Sequence, residues 1–104
     1  MLNYVVILKK ELTAEVESFK EFNDMMKARE YLRDQIEKAF VKDTPKYGAL
    51  ISTQSLRMVC EYWSTGNTYQ YNYNTVFYNE YLVQTLLDQL KHSDAWEKKY
   101  GNSN

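Results

Sequence analysis

The chain has 104 residues, 44% of them hydrophobic, with 13 Lys and Arg against 14 Asp and Glu for a net charge of −1. This is one domain's length with a globular composition, which excludes a second core and argues against wholesale disorder. The near balance of charge argues against a general nucleic-acid binder and equally against a polyanionic DNA mimic, and one cysteine with one histidine excludes an internal disulfide framework and argues against structural zinc.

No apolar run approaches the about 20 residues that cross a bilayer, so no membrane association is expected. The run from Tyr4 to Leu8 is too short for a signal-peptide core and no basic segment precedes it. A soluble, cytoplasmic protein is the expectation.

Residues 3–12 read as a strand, since Tyr4, Val5, Val6, Ile7 and Leu8 are apolar and largely β-branched. Apolar residues on both phases predict cover on both faces and a central place in a small sheet. Residues 15–22 are read as a second strand. A helix running from 14 through 40 is the alternative, but at about 100° per residue Val16 and Phe19 lie opposite Met25, Leu32 and Ile36. The phase breaks at Asn23-Asp24, both good N-cap residues. The turn at 12–14 lacks the Gly or Asn of a tight hairpin.

Residues 24–41 form the clearest helix, with Met25, Ala28, Leu32, Ile36, Ala39 and Phe40 in one stripe and Asp34 and Lys38 as an i,i+4 pair. Residues 41–53 read as a connection, because Pro45 pushes Thr44 out of helical geometry and Gly48 permits a turn.

Residues 55–63 and 68–77 alternate in period two and predict a hairpin. Its register places Trp63 opposite Thr68, Tyr62 opposite Tyr69, Cys60 opposite Tyr71 and Met58 opposite Tyr73. One face is then apolar and aromatic, and the other carries Arg57, Glu61, Gln70, Asn72 and Asn74. Residues 79–91 read as a second helix whose face of Leu82, Val83, Leu86, Leu87 and Leu90 is either core or a dimer interface. A start at Asn74 is the alternative. Ser93 or Asp94 opens a last helix, with Trp96 and Tyr100 at i,i+4 and Gly101 at its end. The single domain spans 1–101, and residues 102–104 are expected to fray.

Catalytic chemistry is poorly supplied. Gly48, Gly66 and Gly101 form no phosphate-binding loop. Cys60 is expected as an inward filler, and His92 suits a helix end. No cofactor or metal is expected. The unusual feature is ten tyrosines, several within 58–90, a stretch without Lys or Arg. One-sided tyrosines at period two suit a half-buried strand. Together with Asn, Ser, Thr, Gly and Trp63 they also suit a rigid recognition surface like that of antibody loops. Stacking of a nucleobase on the tyrosines is the competing use.

The opening Tyr4 to Leu8, the segment Phe19 to Asp24, the helix around Ala28 to Leu32 and the hairpin Glu61-Tyr62-Trp63 to Tyr69-Gln70-Tyr71 resemble the small ββαββ proteins of phages and mobile elements of Gram-positive bacteria. The resemblance covers residues 3–77. Several small phage proteins inhibit host defences, anti-CRISPR proteins among them. It therefore implies a host-directed binding protein in the bacterial cytoplasm, and it carries over no site residues.

The expected fold is α+β: two strands, a helix, two strands and two helices, with a single small antiparallel sheet and helices mainly on one face. The expected function is a non-enzymatic protein-binding module, an inhibitor that occludes a host defence protein such as a CRISPR effector. Its partner-binding residues are Arg57, Trp63, Asn67, Tyr69, Gln70, Tyr71, Asn72 and Asn74, with Trp63 as anchor. The runner-up is a binder that sequesters a signalling nucleotide by Tyr stacking. A third reading is a homodimer formed through Leu82, Leu86 and Leu90.

Overall fold

The computed structural model describes residues 2–65, 69–72 and 80–101. The chain runs β1 (Tyr4–Lys9), β2 (Val16–Phe22), α1 (Met25–Val41), β3 (Lys46–Ser52), β4 (Arg57–Ser64), β5 (Tyr69–Asn72), α2 (Glu80–Lys91) and α3 (Asp94–Tyr100). The strands form one sheet of order β2-β1-β3-β4-β5, antiparallel throughout. The fold is α+β, as expected.

β1 lies inside the sheet between β2 and β3, and Val5, Val6, Ile7 and Leu8 are all buried. Its doubly apolar pattern has the cause inferred from sequence, cover on both faces. The second expected strand is present as Val16–Phe22, and Asp24 caps α1 by accepting from the N–H groups of Met26 (2.8 Å) and Lys27 (3.4 Å). The helix ends where Asp43 enters the left-handed region (φ 57), and Pro45 prevents its continuation.

Two expectations about architecture are corrected. First, residues 41–53 are no mere connection: Lys46–Ser52 forms β3, in the middle of the sheet. Tyr47 to Ile51 is buried at every position, so no period-two signal marks it. Gly48 is there for packing rather than for a turn. A Cβ on it would lie 2.3 Å from Leu32 Cδ1 and 2.9 Å from Leu8 Cδ2, so its absence lets α1 approach the sheet.

Second, the helices occupy both faces. Ala28, Leu32 and Ile36 of α1 pack on Val6, Leu8, Leu50, Cys60 and Tyr62. Val83, Leu86, Leu87 and Leu90 of α2 pack on Val5, Ile7, Ala49, Ile51 and Met58, with Phe19 and Trp96 at the margin. Because alternate residues of β1 serve the two cores, one layer of helix on each side is what the sequence of β1 requires. Leu86 and Leu90 are thereby buried within the chain, and Leu82, the third residue considered for a homodimer, is partly buried at the margin of the same core.

Ser93 caps α3 and accepts from Trp96 N–H at 3.2 Å. Trp96 lies against Phe19 (ring centroids 5.4 Å) and Tyr100 (4.3 Å). Residues 102–104 lie outside the described residues.

Candidate functional site

The β4–β5 pairing places Trp63 opposite Gln70, Tyr62 opposite Tyr71, Glu61 opposite Asn72 and Ser64 opposite Tyr69. The expected register is therefore displaced by two residues. An even shift preserves the faces: Trp63 shares one with positions 70 and 72, and Tyr62 shares the other with positions 69 and 71. Gln70 and Tyr71 of the expected recognition surface thus lie on opposite faces of the sheet. Asn67 and Asn74 fall outside the described residues, as does Tyr73.

The predicted alternation of Met58, Cys60 and Tyr62 breaks at a bulge. Leu50 pairs with Cys60 but Ile51 pairs with Met58, which leaves Val59 as the extra residue. Met58 consequently joins the α2 core while Cys60 and Tyr62 join the α1 core. Arg57 is exposed at the far end of β4, paired with Ser52. Six residues of strand, about 20 Å, separate it from Trp63, so it does not belong to the same site.

Tyr62 is buried and Tyr71 is 58% exposed, with their rings tilted by 31° and centroids 5.6 Å apart. A base inserted between two rings needs two contact distances of about 3.5 Å each, so this pair is closed to an intercalated nucleobase.

Around Trp63 the sheet forms a cavity of about 250 Å³, lined by Glu11 and Leu12 beyond β1, Lys46 and Tyr47 of β3, Glu61 and Trp63 of β4, and Thr65. The β3–β4 register sets Tyr47 opposite Trp63 and Ala49 opposite Glu61, which brings Tyr47 diagonally to Glu61. The Tyr47 hydroxyl donates to Glu61 Oε2 at 2.5 Å. Burial, then the hydrogen bond to Glu61 and its charge, push the Tyr47 phenol well above its ordinary range. Lys46 is held by Glu17 at 2.5 Å, and Leu12 is half exposed.

Glu61, expected on an outward polar face, is only 8% exposed, and Leu12, Lys46 and Tyr47 join it at the cavity without any expectation that they would. The available signal was the shared phase of Glu61 and Trp63, since a face carrying a tryptophan is not simply solvated.

Cys60 is buried and free. Desolvation raises its thiol to about 11 despite the nearby Arg29, so it is protonated at neutral pH. His92, just past α2, is exposed with Nδ1 2.8 Å from the Asp88 carbonyl oxygen. Cys60 belongs to the α1 core and His92 follows the helix on the opposite face, so the two do not form a nucleophile–base pair. Among the described residues no cluster of three His, Cys, Asp or Glu side chains could hold a metal, and no helix is long and apolar enough to cross a membrane.

Comparison of the chain with protein-family models, curated proteins and solved structures finds no match.

Proposed function

We propose that the chain is a non-enzymatic protein-binding module whose contact surface is the Trp63 side of the β4–β5 hairpin, and that it acts as a host-directed inhibitor of the kind the resemblance to phage proteins implies. The observation that supports this reading is the cavity beside Trp63. It joins a partly buried tryptophan to a buried tyrosine and an exposed leucine. Aromatic anchors in such pockets dominate protein interfaces. The exposed Gln70 next to Trp63 in the ladder supplies an adaptable polar contact at its rim.

The test is capture of a partner by the tagged protein from bacterial lysate, with Trp63→Ala and Gln70→Lys as paired baits. The second variant changes an exposed side chain, so it leaves the core intact. The expected outcome is a stoichiometric protein lost with both variants. With the purified partner, Trp63→Ala should weaken binding by about 2 kcal/mol or more. A partner held equally by both variants would remove this surface, and the absence of any partner would overturn the reading.

A further inference from the structure

We infer that the cavity between Tyr47 and Trp63 receives a basic side chain, lysine or arginine, presented by the protein partner, with its charge placed on Glu61. The inference rests on the protein-binding reading above and adds the chemistry of the contact.

Size comes first. Sites for drug-sized ligands and cofactors run from about 300 to 1,000 Å³, and this cavity has about 250 Å³. It suits one long side chain better than a nucleotide. Its walls of Leu12, Tyr47 and Trp63 match an apolar stem, and aromatic faces attract a cation at its end.

The second observation is the state of Glu61. Its residue is only 8% exposed, yet it accepts a single hydrogen bond among the described residues, from Tyr47 to Oε2. A carboxylate has about four acceptor sites, and Glu61 lines the cavity with neither oxygen enclosed without a partner, so sites remain open to a donor entering there. A cationic donor would complete its hydrogen bonding.

Third, no cation among the described residues is paired with Glu61. Lys46 lines the cavity, but its amine is engaged by Glu17 at 2.5 Å. The sequence from Met58 to Leu90 contains no Lys or Arg, and Arg57 sits at the far end of β4, about 20 Å of strand from Trp63. Glu11, exposed at the mouth, adds a second negative charge where a cation would enter.

The test uses the full ¹⁵N-labelled chain and three probes: N-acetyl-arginine methylamide, N-acetyl-lysine methylamide and the neutral citrulline counterpart. The indole N–H of Trp63 reports the cavity, and that of Trp96, on α3 and packed against Phe19, serves as the internal control. The expected result is a saturable shift of the Trp63 resonance with a basic probe at about millimolar concentration, no saturation with citrulline, and at least a tenfold loss of affinity in Glu61→Gln. The amide introduced by that substitution keeps an acceptor for Tyr47, and an unmoved Trp96 resonance verifies the fold of the variant. No shift with either basic probe, an equal shift with citrulline, or binding that survives Glu61→Gln would overturn the inference. If that happens while a partner is still lost with Trp63→Ala, the protein-binding reading stands without the cation pocket. If the basic probe binds as expected but no partner is captured, the cation chemistry stands and the protein-partner reading falls.

Discussion

The hydroxyl of Tyr47 reaches diagonally across the β3–β4 ladder to donate a 2.5 Å hydrogen bond to Glu61 Oε2, and both residues are more than nine-tenths buried. Each therefore relieves the desolvation of the other. Tyr47→Phe is expected to cost about 1–3 kcal/mol of stability, because it leaves a buried carboxylate without its donor. Glu61→Gln should cost less, since an amide oxygen still accepts from the phenol. Urea unfolding of the two single variants and the double variant would check this. A Tyr47→Phe protein as stable as the parent would show that water replaces the bond.

Gly48 offers a sharper test of the α1 side. The methyl of Gly48→Ala would meet Leu32 Cδ1 at 2.3 Å, in a core where Leu32 is fully buried. Overpacking of this kind typically costs about 1–3 kcal/mol. Leu32→Val in the same chain should recover part of the loss, giving a favourable coupling in the double-mutant cycle. Additive losses would mean that α1 moves away as a unit instead.

These two relationships show why only part of the molecule was legible in the sequence. The strand β1, the cap at Asp24 and the stripe Ala28, Leu32, Ile36 and Ala39 follow from local rules, and all were readable. β3 was not, because a strand buried on both sides has no alternation and its one glycine imitates a loop. The bulge at Val59 was equally hidden, and it moved Met58 to the face opposite Cys60. Trp63 was readable as a candidate because an aromatic near a hairpin tip is locally conspicuous. Its neighbours Leu12, Tyr47 and Glu61 come from three separated segments and meet only through the strand order, which periodicity does not encode.

Lys9 is a charged residue in an unfavourable place. It is 1% exposed, and its amine donates to the Leu12 carbonyl at 3.2 Å and to Gln89 Oε1. Desolvation lowers its pKa. A base whose folded pKa lies below its unfolded value destabilises the fold most at pH below both, and the penalty fades as pH rises through the window between them. Lys9→Met removes the buried charge at similar length, and water can satisfy the exposed Gln89. The expected outcome is a gain of about 1 kcal/mol at pH 7, shrinking as pH rises toward the unfolded lysine value of about 10.4. Thermal unfolding of parent and variant at pH 7 and in steps up to about 10.4 would check it, and a loss of stability at pH 7 would show that the two hydrogen bonds outweigh desolvation.

Glu21 works in the opposite sense and ties the two ends of the chain together. It accepts from Leu2 N–H at 2.9 Å and from the Tyr100 hydroxyl, and it lies 3.4 Å from Lys99 Nζ. Burial pushes its carboxyl up, but the bonds from Tyr100 and Leu2 and the charge of Lys99 outweigh this and hold it below the ordinary range. The same contact, through the hydrogen bond to Glu21, lifts the Tyr100 phenol to about 12. A carboxylate with a depressed folded pKa stabilises the fold fully above its unfolded value near 4.3, and that stability is lost as pH falls through the folded value. Acidification should therefore release α3 early, exposing Trp96 from its stack with Phe19 and Tyr100. The expected signature is a red shift of tryptophan fluorescence below about pH 4, before the far-ultraviolet signal of the sheet is lost. Glu21→Gln keeps an acceptor but removes the charge. It should cost about 1 kcal/mol at pH 7, a modest figure because Lys99 is half exposed and solvent screens its share, and it should flatten the acid limb. An identical acid transition in Glu21→Gln would assign the pH dependence to other carboxylates.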